Sequence, residues 1–300
     1  MRSITDVMKD VKIVALVGPT ASGKTSLAIE IAKKYNGEVI SVDSRQVYKT
    51  LDIGTEKVTK EEMGGIPHHM IDIIEPEETL SAQAFQTLAR EKIEDIVARG
   101  KLPILAGGSG QYMDSVLYNV SFPSVVANEK LRGELEAIPT SALFKILEEQ
   151  DPLRAETIDP QNKRRIIRAL EIIDALGKVP EIEKETPLYN VLYLGIGVPR
   201  EELRERIATR LQTTLKKGLV KEVENLRTRV SDKRIDEFGL EYRVVREYLD
   251  GNIKEEELTE KLITELMRYA KRQMTWFKRN KDIVWGERTK LLKNADSYLL

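Results

Sequence analysis

Three hundred residues, 41% of them hydrophobic, are enough for one large core or two modest ones. The absence of cysteine removes disulfides, thiolate metal sites and cysteine nucleophiles, and two adjacent histidines, His68 and His69, are too few for a histidine-based metal centre. Charged residues make up 32% of the chain yet the net charge is −1, so a polyanionic partner has to be met by local basic clusters.

From the amino terminus, "MRSITDVMKDVKI" mixes acids with bases and lacks the apolar core of a signal peptide. No later segment approaches the roughly 18 apolar residues of a membrane helix. A cytoplasmic protein with no membrane association is expected. Strand-like runs follow at "VKIVALVG", "EVISVD" and "LPILAGG", separated by helical periodicity in "KTSLAIEIAKKY" and "SAQAFQTLAREKIEDIVARG". This alternation predicts an α/β fold, a parallel sheet flanked by helices on both faces. After about residue 120 the chain reads as helices broken by proline and asparagine, which predicts a helical insertion over 121–189. Strand character returns at "VLYLGIGVPR", and amphipathic helices run on to about residue 280. The core is therefore expected over 1–120 and 190–300.

The first loop carries the clearest chemistry. "GPTASGKT" satisfies G-x-x-x-x-G-K-[ST] at Gly18, Gly23, Lys24 and Thr25, between a predicted strand and a predicted helix. In such a P-loop the backbone amides converge on phosphate oxygens, at the positive end of the helix dipole. Lys24 adds a full charge, and Thr25 offers a hydroxyl to phosphate-bound Mg²⁺.

An acid suited to work beside that loop stands at Asp43, the end of "VISVD". Its position predicts the carboxyl edge of the sheet, where open α/β sheets bind ligands. The residue types leave three roles open: metal ligand, general base, or cap of a following turn.

"GPTASGKT", "ISVDSRQVYKTLDIGTEK", "GIPHHMIDI", "LPILAGGSGQY", "RRIIRALEI" and "RYAKRQMTWFKR" occur in the order found in tRNA dimethylallyltransferases, and over nearly its whole length the chain resembles that family. The resemblance implies a P-loop NTPase-like core that moves a five-carbon prenyl group from dimethylallyl diphosphate to N6 of the adenine 3′ of the tRNA anticodon. It implies that Gly18, Thr20, Ala21, Ser22, Gly23, Lys24 and Thr25 hold the diphosphate with Mg²⁺ at Thr25. Asp43 becomes the general base. Ser44, Arg45, Gln46 and Ser109, the last standing where relatives commonly carry threonine, meet the tRNA with Asp43. Gln161, Asn162, Lys163, Arg164 and Arg165 are implied to bind the anticodon stem-loop from the insertion.

Other features carry weaker expectations. Gly107, Gly108 and Gly110 of "GGSGQY" read as a close backbone approach to a ligand or as a tight turn. "RYAKRQMTWFKRNK" combines Arg268, Lys271, Arg272, Lys278 and Arg279 with Trp276 and Phe277, which are assigned to the core ahead of base stacking. The two histidines are assigned a hydrogen-bonded structural role.

One segment departs from the family pattern. Many relatives carry a helix resembling R-x-I-G-Y-K-E, whose arginine is held to grip the diphosphate, whereas "RIDEFGLEYRVV", aligned on Gly239, places Asp236 at that position. Arg234, Arg243 and Arg272 are the replacements considered. Three rivals compete with tRNA prenylation: a small-molecule or nucleoside kinase, a prenyltransferase acting on free adenine nucleotides, and an RNA-binding protein that has lost catalysis. A monomer is expected.

Overall fold

The computed structural model describes residues 8–120, 122–123, 125–180 and 186–300. They form two compact units, one comprising the chain up to Asn119 and from Thr186 onward, the other Val120–Glu185. The core resumes at Thr186 rather than near 190, because Leu188 donates to the Leu117 carbonyl (2.9 Å) and Pro187 bridges Tyr118.

The first unit is built on six parallel strands: β1 (Lys12–Val17), β2 (Gly37–Ser41), β3 (His68–His69), β4 (Leu102–Ala106), β5 (Asn190–Ile196) and β6 (Val284–Gly286). Their order across the sheet is β3-β2-β4-β1-β5-β6. Five of the six β1 residues are buried, as expected of a central parallel strand covered on both faces. Val14 pairs with Ile104 on one side and Leu16 with Leu194 on the other. Against this face pack Leu27, Ala28 and Ile31 of the helix Lys24–Lys34 and Leu291 and Ala295 of the helix Arg288–Leu299.

The two edge strands went unpredicted because two and three residues carry no readable periodicity. A buried carboxylate fixes one of them. Glu38 of β2, 1% exposed, accepts from Arg99 Nη2 (2.7 Å), Lys101 Nζ (2.6 Å) and His69 Nε2 (2.7 Å), which hold its pKa far below the usual carboxylate range. His69 is thereby spent on structure, and His68 Nδ1 is bonded to the Ile66 carbonyl at 2.9 Å.

The second unit is helical and has a core of its own. Leu143 and Leu147 of the helix Thr140–Gln150 pack with Ile166, Ile167, Leu170 and Ile173 of the helix Lys163–Leu176. Among the described residues, no helix is long and apolar enough to cross a membrane.

Candidate active site

The loop Gly18–Thr25 leaves β1 and enters the helix Lys24–Lys34 through Gly23, whose φ of 91° lies in the left-handed region. Thr25 is exposed in the first turn of that helix. Lys24 folds back so that its Nζ donates to the Pro19 carbonyl at 2.7 Å. Enclosure by protein atoms, and then the positive charge of Arg210, lower the Lys24 ammonium from 10.5 to about 8, against the pull of Asp43 and Glu56. Ser22 is 4% exposed, and its hydroxyl has no hydrogen-bond partner.

Two elements far away in sequence hold this loop in place. On the helix Arg200–Lys216, Arg210 Nη2 donates to Thr20 Oγ1 (2.9 Å) and Arg206 Nη1 to the Ser22 carbonyl (3.4 Å). Four residues apart, the two arginines share one helix face. On the helix Glu255–Phe277, the buried Gln273 accepts from the Thr20 N–H (2.9 Å) and donates to the Gly108 carbonyl (3.0 Å). Gln273 therefore ties the phosphate loop to the turn after β4.

Asp43 lies just beyond β2 on the same sheet edge. Its Oδ1 accepts from the N–H groups of Arg45 (2.8 Å) and Gln46 (3.3 Å), an Asx turn that orients the carboxylate. The turn after β4 closes against this segment: Ser44 donates to Ser109 Oγ at 3.2 Å, and a Cβ on Gly107 would stand 2.0 Å from the Val42 carbonyl oxygen. Gly108 and Gly110 likewise face Gln273 and Trp276, so the three glycines admit protein rather than a ligand.

The neighbours of Asp43 are already engaged with protein. Gln46 accepts from Ser41 Oγ (2.8 Å) and donates to the Thr55 carbonyl (3.1 Å). Arg45 pairs with Glu241 (3.6 Å), and its guanidinium lies 5.5 Å from the centre of the Tyr269 ring. Gly239, at φ 125°, leaves room for that guanidinium; a Cβ there would come within 2.1 Å of it.

Charges of both signs meet at this edge. Lys24, Arg45 and Arg210 are interleaved with Asp43, Glu56 and Glu241 closely enough for each to shift a neighbour. Burial raises Glu56 to about 7 and also raises Glu241, with Arg210 and Arg45 respectively opposing. Among the described residues no three His, Cys, Asp or Glu side chains cluster to hold a metal. Mg²⁺ requires no such cluster, since it keeps its waters and binds one or two protein groups plus substrate phosphates. The exposed Thr25 hydroxyl in the first turn after the G-x-x-x-x-G-K-[ST] loop fits that mode.

The remaining expected residues fall in the second unit or elsewhere in the first. In the second, the Asn162 side chain caps the helix Lys163–Leu176 by accepting from the Arg165 N–H (3.2 Å), and Lys163 donates to the Glu136 carbonyl (2.6 Å). Gln161, Arg164 and Arg165 are exposed. In the first, Phe277 is 4% exposed, and Trp276 donates to Asp114 at 3.2 Å while Arg279 stacks on its ring.

The three arginines considered as replacements all have partners within the protein. Arg234 donates to the Pro76 carbonyl (3.0 Å), Arg243 pairs with Glu265 (3.6 Å), Arg272 lies over Tyr269, and Asp236 is bound by Arg246 (2.7 Å). Arg210, with Arg206 beside it, brings a guanidinium to the loop. The sequence hid it because "REELRERIATR" reads as a solvated, ion-paired helix face.

A G-x-x-x-x-G-K-[ST] loop at the end of a central parallel strand, with a carboxylate two strands away on the same edge, places the chain in the P-loop NTPase-like α/β class. The model of the IPP transferase family matches residues 46–280. A tRNA dimethylallyltransferase of Anoxybacillus flavithermus is 44% identical over 93% of this chain and 91% of that protein, and one of Acetivibrio thermocellus is 42% identical over 96% and 97%. Among solved structures, the tRNA isopentenylpyrophosphate transferase of Bacillus halodurans superposes with a TM-score of 0.72 at 40% identity, covering 96% of this chain and 95% of that one. A eukaryotic dimethylallyltransferase acting on tRNA gives a TM-score of 0.79 at 28% identity, covering 93% and 74%. The chain belongs to the IPP transferase family.

Proposed function

We propose that this protein transfers the dimethylallyl group of dimethylallyl diphosphate to N6 of the adenine 3′ of the anticodon in tRNA, releasing diphosphate. One observation carries the reading: Asp43 and the phosphate loop stand on one sheet edge, with the charge of Asp43 reaching Lys24. In the order β2-β4-β1 they are two strand spacings apart, about 10 Å at roughly 4.8 Å per spacing. That span suits a reacting carbon and an amine between a carboxylate and a leaving oxygen.

In the reaction the allylic C1–O bond breaks, the N6–C1 bond forms, and the electron pair leaves with the diphosphate. The allylic cation is delocalised, so the main task is to stabilise charge on the leaving group, which the loop amides, Lys24 and Arg210 are placed to do. Bound Mg²⁺, held by Thr25 and diphosphate oxygens, would neutralise further charge there. The N6 lone pair is delocalised into the ring, and Asp43 accepts the proton that the amine sheds as the bond forms. The base is drawn out of its stack to reach the site, which costs a few kcal/mol. Ser44, Arg45, Gln46 and Ser109 line the base side, and Gln161–Arg165 receive the anticodon stem-loop. Such chemistry belongs with tRNA in the cytoplasm.

Labelled dimethylallyl diphosphate incubated with an anticodon stem-loop, AMP or no acceptor, and labelled ATP offered in parallel, tests the reading. Label is expected in the stem-loop alone. Transfer to AMP would make the protein a free-nucleotide prenyltransferase, and transfer from ATP would make it a kinase.

A further inference from the structure

Glu56 has no part in the chemistry above, yet its carboxylate is paired with Arg210 Nε, while the same guanidinium reaches Thr20 through Nη2. Building on the prenyl-transfer reading, we propose that Glu56 is an internal competitor of diphosphate, holding the Arg210 guanidinium until the diphosphate takes that place and helping to expel the product afterwards.

Two independent features support a built-in role. The first is the backbone of Glu56, a non-glycine residue at φ 50°, a left-handed conformation that costs on the order of 1 kcal/mol or more and persists only where its surroundings fix it. Those surroundings are visible. The Glu222 carboxylate accepts from the N–H groups of Asp52 (2.9 Å), Ile53 (2.8 Å) and Gly54 (2.9 Å), Tyr242 donates to the same carboxylate (2.8 Å), and Gln46 holds the Thr55 carbonyl. The loop is thus held by Glu222, itself fixed by Tyr242, and by Gln46, with Glu56 directed at Arg210.

The second feature is geometric and electrostatic matching. A guanidinium presents a planar fork that fits carboxylate and phosphate oxygens alike, so a diphosphate that takes the Nε side of Arg210 displaces Glu56 from it. The groups facing Glu56 are Arg210 from the helix Arg200–Lys216, Lys24 from the helix Lys24–Lys34, and Glu241 from the helix Leu240–Leu249. A diphosphate entering beside Lys24 and Arg210 adds several negative charges next to Glu56 and Glu241. The least costly response is for Glu56 to take up a proton and release Arg210.

The sign of the pH dependence follows. Burial places the Glu56 titration at about 7, so the carboxyl is mostly neutral at pH 6 and mostly ionised at pH 8. If only the neutral form yields Arg210, apparent affinity falls by 1 + 10^(pH − 7), roughly 1.1-fold at pH 6 and about elevenfold at pH 8.

The experiment is calorimetric titration of the parent, Glu56→Gln and Glu56→Ala with inorganic pyrophosphate between pH 6 and pH 8, in buffers of different ionisation heat. The protonation of pyrophosphate itself is common to all three proteins and cancels in their ratio. Both variants are expected to bind about as tightly as the parent at pH 6 and about tenfold more tightly at pH 8. The parent should take up nearly one proton more than either variant at pH 8. A ratio that does not change with pH, or variants weaker than the parent throughout, would overturn the proposal. Prenyl transfer by the parent is measured separately: transfer with a flat ratio rejects only the competitor role, and a pH-dependent ratio without transfer rejects only the prenylation reading.

Discussion

Replacing Gln273 by alanine tests whether the phosphate loop is held from outside. The side chain is 6% exposed and makes two hydrogen bonds, to the Thr20 N–H and to the Gly108 carbonyl. Each buried group left unsatisfied costs about 1–3 kcal/mol, and the Thr20 side of the bridge is only partly buried, so water recovers some of the loss. A net destabilisation of about 2–3 kcal/mol is expected, equivalent to roughly 5–10 °C in Tm for a unit of this size. The effect on function should be directional. Loosening Thr20 detaches the loop from the turn after β4, so KM for dimethylallyl diphosphate should rise about tenfold while KM for tRNA stays within about twofold. Gln273→Glu sharpens the test, because it keeps an acceptor for Thr20, loses the donor to Gly108 and adds a negative charge beside the anion site. It should weaken pyrophosphate binding more than its change in stability implies. Scanning calorimetry and pyrophosphate titration read both effects. An alanine variant that melts with the parent and binds pyrophosphate equally well would show that this bridge does not position the loop.

Asp43→Asn should bind an anticodon stem-loop as the parent does but lose about 10²- to 10⁴-fold in kcat, measured by single-turnover transfer. Lys24, titrating at about 8, is about half neutral at pH 8, where an ordinary lysine is neutral to only about 0.4%. It should therefore acylate ahead of surface lysines in a mass-spectrometric time course, and pyrophosphate should protect it. The same depression has a linkage consequence: between about 8 and 10.5 the unfolded chain binds more protons at this site, so its contribution to stability rises with pH across that window and is least favourable below 8. Gly239→Ala meets both a φ of 125° and the Arg45 guanidinium, and should destabilise by about 2–4 kcal/mol in urea unfolding.

The central sheet was legible because its strands are long, apolar and followed by turn glycines. "KIVALV" and "LPILA" have no other good reading. The phosphate loop was legible because backbone geometry demands its glycines at fixed spacing. The residues that complete the site were not. Arg210 and Gln273 lie 190 and 253 residues from Thr20 on helices whose local pattern is ordinary, so their importance arises only when the sheet brings them to its edge. Glu56 was hidden differently: within "DIGTEK" it reads as a surface acid, and only folding places it against Arg210. The resemblance found the family but left the diphosphate arginine unassigned, since the segment that carries it in relatives has Asp236 in this chain.

The pairing of Tyr118 with Pro187, and of Leu117 with Leu188, brings the two ends of residues 120–185 to one point on the sheet-bearing unit. The chain departs and returns through the same doorway. Such a graft can be lengthened, trimmed or exchanged without rethreading a single strand, so the part of the enzyme proposed to meet the nucleic acid is free to diversify while the part proposed to handle the leaving group stays as it is.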